Sequence, residues 1–260
     1  MTTDPVALIT GASRGIGAEY ARSLAGQGYS LFLTARDQLS LETLQHDLES
    51  SYGIRVWVKP LDLTRPTAAQ ELYDSSADLP QPVSLLINNA GFGWYGDFCR
   101  MPTKQIQDML QVHIDVTTLC TRLFLEDMIK RRHGAIINVA SIAGFIPIPY
   151  MSLYAATKSF IIAFSEGVAR EVTDKGVHIQ VCCPGYTETA FHDRAGHRPH
   201  HVISGASPEE VVAQSLHALQ SSKFRVTIGW SGRVTRWILY WFPRNWLISL
   251  ISKFVKKNLK

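Results

Sequence analysis

Ser141, Tyr154 and Lys158 are the side chains whose types and spacing could move a proton at a carbonyl oxygen. Tyr154 and Lys158 stand four residues apart, which on a helix places phenol and ammonium on one face, one turn from each other. A free phenol titrates near about 10, so it is a poor base at neutral pH, and a neighbouring ammonium favours the phenolate. A shift of roughly three pH units would correspond to ~4 kcal/mol of differential stabilisation. Such a tyrosine can give a proton to a carbonyl oxygen or take one from an alcohol, while a serine hydroxyl steadies the same oxygen. Tyr-x3-Lys alone also describes a surface tyrosine packed beneath a lysine stem, so the elements around the pair must decide.

The apolar run 135–139 is short enough for a buried strand. Met151 to Val172 is longer, has apolar residues at three and four, and is closed by Lys175-Gly176, which predicts a helix. Ser141 then lies just past the carboxyl end of a strand, and Tyr154 and Lys158 lie early on the helix that follows.

Earlier in the chain, Val6 to Thr10 predicts a strand that runs into Gly11-Ala-Ser-Arg-Gly15-Ile-Gly17. Glycines at 11, 15 and 17 between a strand and a helix permit a tight turn, close approach of backbone to a pyrophosphate and close helix packing. Phosphate would meet the free N–H groups of the helix that begins near Gly15. Gly11, Ser13, Arg14, Gly15, Ile16 and Gly17 are therefore candidate dinucleotide-binding residues; a flexible glycine turn is the plainer alternative. Ser30 to Thr34 predicts a second strand, ending in Arg36 and Asp37. Arginine there pairs with a ribose 2′-phosphate, and Arg14 could approach the same group, which favours NADP(H) over NAD(H). Asp37 is read as the cap of a helix over Gln38 to Ser50, with contact to the ribose as the alternative.

Ile54 to Pro60 predicts a third strand, followed by Asp62 and Leu63, where an aspartate could bond an adenine amino group or cap a helix starting near Pro66. Val83 to Ile87 predicts a fourth, ending in Asn88-Asn-Ala90-Gly91, whose small residues admit a cofactor and whose amides can tie neighbouring strands. Thr103 to Lys130 predicts one long helix, Val177 to Cys183 a strand, and Phe224 to Ile228 the last strand. Ser207-Pro208 marks a helix start, with serine as cap and proline in the first turn.

Taken together, Thr10-Gly-Ala-Ser-Arg-Gly-Ile-Gly17, Asn88-Asn-Ala-Gly91, Ser141, Tyr154-x3-Lys158 and Pro184-Gly185 resemble the ordered motif set of the short-chain dehydrogenase/reductases. The resemblance covers residues 6 to about 190 and, more loosely, to 230. The flanking Asn-Ala-Gly-Phe-Gly and Ala-Ser-Ile-Ala-Gly-Phe further resemble ketoreductase and hydroxysteroid dehydrogenase-like members. It implies an α/β fold of Rossmann type, a doubly wound parallel sheet of seven strands in the order 3-2-1-4-5-6-7. It implies NAD(P)-dependent carbonyl or alcohol chemistry and a homodimer or homotetramer. By the same resemblance Lys158 binds the nicotinamide ribose and tunes Tyr154, the backbone near Thr187 meets the nicotinamide amide, Thr189 meets the pyrophosphate, and Phe191 to Gly205 forms a substrate lid. The family carries an asparagine in the helix before the serine strand, where a kinked backbone holds a water leading from the lysine to solvent. Here that position falls in Gln111-Val-His113-Ile-Asp115, where His113 stands. Two readings stay open for His113: a proton carrier and a hydrogen-bonded core histidine.

At 260 residues and 46% hydrophobic content the chain can bury one large core, and a dinucleotide-binding catalytic domain over 1–230 with a tail over 231–260 is expected. The net charge of +4 is unevenly spread. Seven of the 26 Lys and Arg residues fall within 233–260, which has no acid, leaving 19 against 22 Asp and Glu elsewhere; that balance argues against nucleic-acid binding. Cys99, Cys120, Cys182 and Cys183 lack metal-ligand spacing and read as reduced residues of a cytoplasmic protein. His192, His197, His200 and His201 lack a supporting cysteine or helical pair, so no metal is expected. Nothing near the first apolar run resembles a signal peptide, and no uncharged run reaches membrane-spanning length.

The tail interleaves Trp230, Trp237, Trp241 and Trp246 with aliphatic and basic residues. Trp237, Ile238, Trp241 and Phe242, then Leu247, Leu250, Ile251, Phe254 and Val255 after Pro243, recur at helical spacing. Two amphipathic helices in a membrane interface would look like this, and peripheral membrane contact through 233–260 is expected; packing over the substrate pocket is the alternative. The expected function is hydride transfer between NADP(H), with NADPH preferred over NADH, and the carbonyl or alcohol carbon of a hydrophobic fatty-acyl, steroid or retinoid-like substrate. A catalytically silent NADP-binding scaffold at a membrane is the other reading, and a superfamily epimerase or dehydratase fits less well because the chain lacks an extra substrate domain.

Overall fold

The computed structural model describes residues 4–187, 205–229 and 241–258. Strands β1 (Val6–Thr10), β2 (Ser30–Ala35), β3 (Val56–Pro60), β4 (Val83–Asn88), β5 (Gly134–Val139), β6 (Val177–Cys183) and β7 (Arg225–Thr227) form one parallel sheet in the order β3-β2-β1-β4-β5-β6-β7. This is the Rossmann-type order expected above. The third and last strands are shorter than their apolar runs: Ile54 packs beyond the end of β3, while Phe224 and Ile228 flank β7 and each still makes one backbone hydrogen bond to β6.

Strand residues alternate between two apolar layers, because successive side chains leave opposite faces of a sheet. Ala7, Ile9, Leu31, Leu33, Leu85 and Ile87 pack against α1 (Gly15–Ala25), α2 (Gln38–Tyr52) and the helix Pro208–Gln220. Val6, Leu8, Phe32, Leu86, Ile136 and Ile179 pack on the other side against α3 (Ala68–Ser75) and residues 116–128. Each fully buried aliphatic side chain contributes about 1.5–3 kcal/mol, so the alternation specifies which face each helix covers.

Local signals set the helix ends. Asp37 accepts from Ser40 N–H at 3.1 Å and caps α2, and the left-handed Gly53, at φ 66°, ends it. Ser207 Oγ accepts from Glu210 N–H at 3.2 Å, with Pro208 opening that helix.

The expected single helix from Thr103 to Lys130 is instead interrupted. α4 (Thr103–Leu110) passes into a π-helical turn over Gln111–Val116, and α5 (Thr117–Arg131) continues from it. Wide turns of this kind cluster at functional sites because they redirect a side chain without ending the helix. The side chain redirected here is His113. α6 (Ser152–Glu171) follows β5, α7 is the Pro208–Gln220 helix, and α8 is Arg244–Asn258. No described helix is long and apolar enough to cross a membrane.

A buried amide seam links the middle of the sheet to the helices. Asn88 donates to Asn138 Oδ1 at 2.8 Å, and Asn138 donates to Ser165 Oγ on α6 at 2.9 Å. An unpartnered buried polar group costs about 1–3 kcal/mol. Asn138→Ala, which removes the partner of Ser165, leaves Asn88 with Thr121 Oγ1 alone and opens a small void, should lower unfolding free energy by about 2–5 kcal/mol in urea titration.

Candidate active site

A cleft of about 470 Å³ opens at the carboxyl edge of the sheet. Ligands of open α/β sheets bind on this side because the chain reverses its direction of winding between adjacent strands there. One end of the cleft is lined by Gly11, Ser13, Arg14, Gly15, Ile16, Arg36, Asp62 and Leu63; the other by Ala90, Gly91, Ser141, Tyr154, Lys158, Pro184, Gly185 and Thr187. Segments more than 170 residues apart in sequence are thus brought to one surface.

The glycine end is shaped for an anion. Gly11 has φ +67°, and a Cβ there would lie 2.9 Å from the Ala90 Cα, so only glycine fits. Arg14, the residue capping α1, makes no side-chain capping bond, and the first turn holds no acid. The turn's N–H groups therefore face the cleft with their positive end of the helix dipole, as a pyrophosphate requires. Asn89 holds this loop: its amide donates to the carbonyls of Thr10 (3.0 Å) and Gly11 (3.2 Å). Arg14 and Arg36 both border the cleft, Arg14 paired with Asp37 at 3.2 Å on the surface.

Asp62 accepts from Thr64 N–H at 3.1 Å. Burial works to raise its pKa, but the hydrogen bonds from Thr64 and the charges of Arg36 and Lys104 outweigh it and hold the carboxyl below its ordinary value. It folds back onto its own loop while still bordering the cleft, so the cap it supplies is to that turn and not to α3.

At the other end, the Ser141 hydroxyl is hydrogen-bonded to the Tyr154 phenol and also accepts from Ala143 N–H at 3.1 Å. Lys158 is 4% exposed, and its ammonium donates to the Val139 carbonyl at 2.9 Å at the end of β5. Its Nζ lies 5.7 Å from the Tyr154 ring centre. Burial pulls Lys158 down to about 8. Burial also pushes Tyr154 up, against the Ser141 hydrogen bond, with Tyr95 adding to the rise. This corrects the expectation of a phenol drawn down by its lysine: desolvation of the phenolate dominates, and the tyrosine is held in its protonated form.

His113 lies behind this end, fully buried. Its Nε2 accepts from Phe92 N–H at 3.0 Å, so Nδ1 carries the proton and donates to Thr157 Oγ at 2.8 Å; Thr157 in turn donates to the Tyr154 carbonyl at 2.8 Å. Burial, and then the charge of Lys158, hold the imidazole well below its ordinary pKa. Both ring nitrogens are committed, and the ring ties the Gly91–Phe92 turn to the helix that carries Tyr154.

Two further sequence candidates lie behind the cleft. Asn88 faces the α5 layer, where strand alternation turns it into the amide seam, and its neighbour Asn89 borders the cleft instead. Gly17 is a packing glycine: a Cβ there would sit 2.3 Å from the Gly11 carbonyl oxygen. Thr189 and the histidines from 192 to 201 lie outside the described residues. Among the described residues no three His, Cys, Asp or Glu side chains are placed to hold a metal ion. Phe92, Tyr95, Ile148, Met151 and Tyr186 also line the cleft near Tyr154 and were not singled out from sequence. Their signal is only that of scattered apolar residues in loops, which topology alone assembles.

The family model for short chain dehydrogenases matches residues 5–199. The chain is 32% identical over 266 residues to a very-long-chain 3-oxoacyl-CoA reductase of Phaeosphaeria nodorum, covering 98% of this chain and 77% of that one. Among solved structures, a short-chain dehydrogenase of Sphingobium yanoikuyae in complex with NADPH superposes with a TM-score of 0.83 at 30% identity, covering 94% and 95% of the two chains. The bulky-bulky ketone specific alcohol dehydrogenase of Comamonas testosteroni gives 0.79 at 27% identity, covering 95% of each. The chain belongs to the short-chain dehydrogenase/reductase family, and its relatives include ketoreductases.

The His113 geometry has a pH consequence. A histidine whose folded pKa lies below its unfolded value of about 6.5 contributes stability that is present above that value and lost as pH falls below it. Between pH 7 and 5 the chain should lose up to ~1.4 kcal/mol per pH unit more than His113→Asn. Chemical denaturation of both proteins across that range measures the difference.

Proposed function

We propose that the chain is an NADPH-dependent reductase of a hydrophobic ketone or aldehyde. The observation that carries this reading is the juxtaposition, at one end of a cleft, of a buried protonated Tyr154, the Ser141 hydroxyl bonded to it and Lys158 one helical turn away. When bound, the nicotinamide supplies the hydride. The turn 11–17 would hold its pyrophosphate against the start of α1, Arg14 and Arg36 would receive a 2′-phosphate, and Asp62 with Leu63 would meet the adenine. Ala90, Gly91, Pro184, Gly185 and Thr187 would border the nicotinamide half.

Tyr154 would give its proton to the substrate oxygen as negative charge develops there, and Ser141 would hold that oxygen by hydrogen bonding. A phenol kept neutral by burial is in the state that reduction needs. Lys158 would fix the nicotinamide ribose and place a positive charge beneath the phenol as it loses its proton. Phe92, Tyr95, Ile148, Met151 and Tyr186 present an apolar wall beside these groups, which favours a bulky lipophilic substrate over a small polar one. The 3-oxoacyl-CoA and bulky-ketone relatives support the same substrate class.

Steady-state oxidation of NADPH with a panel of lipophilic ketones and 3-oxoacyl thioesters tests the proposal. Tyr154→Phe should lower kcat about 10²–10⁴-fold while NADPH still binds, as expected for loss of the proton donor. NADPH binding with no Tyr154-dependent turnover on any of them would favour the scaffold reading instead. Charge-assisted hydrogen bonds contribute about 1.5–3 kcal/mol, so Arg36→Ala should reduce the preference for NADPH over NADH about ten- to hundredfold in kcat/KM.

A further inference from the structure

Helix α8 presents a stripe that nothing in the catalytic cleft uses. Trp246, Leu250 and Phe254 recur every four residues, so they share one face, and they are 53%, 51% and 56% exposed. Phe242, at 43% exposure, stacks on Trp246 with ring centres 5.4 Å apart and extends the stripe toward the start of the helix, next to exposed Trp241. The opposite face is occupied: Leu247 is buried and Ile248, Ile251 and Val255 are half-buried. The helix therefore packs with one apolar face and exposes a second. An exposed row of large apolar side chains marks an interaction site, since isolated solvation of such residues gains nothing for a soluble surface.

Charge identifies what the row fits. Arg244, Lys253 and Lys256 are exposed on the same helix, and by helical phase Lys253 flanks the row on its Trp246 edge, about 60° from Leu250. Residues 233 to 260 hold seven basic side chains and no acid. A second copy meeting this face through a two-fold axis would set these cations against their own duplicates, with no carboxylate in the segment to pair them. An anionic lipid surface answers both features: aromatic rings settle at headgroup depth, aliphatic side chains reach the acyl boundary, and lysines meet phosphate. From Trp246 to Phe254 the row runs about 12 Å along the axis, so the helix would lie in the plane of the surface.

We propose that α8 is a peripheral docking helix for anionic membranes, which would bring the cleft to a lipid surface where a lipophilic substrate is concentrated. The proposal does not depend on the catalytic reading, because vesicle binding is measured without turnover. The full chain is sedimented with vesicles of phosphatidylcholine mixed with phosphatidylserine and with vesicles of phosphatidylcholine alone. It should partition onto the mixed vesicles, weakly onto the neutral ones, and be released by raised salt. Lys253→Gln combined with Lys256→Gln should weaken partitioning about thirtyfold, from ~1 kcal/mol per cation at the surface. The triple variant Trp246→Ser, Leu250→Ser, Phe254→Ser should abolish it. Circular dichroism and melting temperature confirm that each variant is folded. Wild-type protein that stays in the supernatant, folded variants that sediment like the wild type, or a wild-type dimer that the triple variant dissolves with no vesicle binding in either protein would each overturn the proposal.

Discussion

A buried ammonium cannot stand alone, and in this chain Lys158 is held by the Val139 carbonyl at the last residue of β5. Leaving such a charge unpaired in the interior would cost far more than one hydrogen bond returns, so β5 and α6 must meet at this register. That single contact fixes the height of α6 on the sheet and, one turn earlier, the position of Tyr154. Ser141, two residues beyond Val139, then has no choice but to face the phenol across the mouth of the cleft. Asn138 repeats the attachment one residue earlier through Ser165, so α6 is fastened to β5 at two heights.

The opposite wall is tied by a parallel device. Thr10, at the end of β1, accepts through its hydroxyl from the N–H groups of both Asn89 and Ala90, while the Asn89 amide reaches back to the Thr10 and Gly11 carbonyls. The glycine turn and the Asn-Asn-Ala-Gly turn are therefore one rigid body. His113 extends it, since its bond from Phe92 N–H and its link through Thr157 to the Tyr154 carbonyl join that body to α6. Polar groups placed so deep are costly unless every partner is present, and here they form a fully engaged chain.

Much of this was legible in the chain itself. Apolar runs bounded by glycine, proline and capping residues gave the strands, Asp37 and Ser207 were recognisable as caps, and the ordered motifs implied the sheet order. What stayed hidden depends on burial and phase. Helical periodicity runs unbroken through Gln111–Val116, so a widened turn leaves no pattern to read. Asn88 and Asn89 are the same residue type, and only the strand's alternation, one residue longer than its apolar run suggested, decides which faces the cleft. The Tyr154 expectation failed for a related reason: spacing shows the lysine, but not the loss of water that keeps the phenol protonated.

The widened turn divides one continuous rod into two parts with separate obligations. Met109, before it, packs with Met101, Met151 and Tyr154 above the cleft, whereas Val116, Cys120, Phe124 and Met128, after it, pack on the sheet. An extra residue in the turn resets the angular phase between these halves, so the upper part is released from the four-residue spacing that binds the lower. The roof can thus be repacked at Met109 without dislodging the foundation that Val116, Cys120, Phe124 and Met128 lay on the sheet.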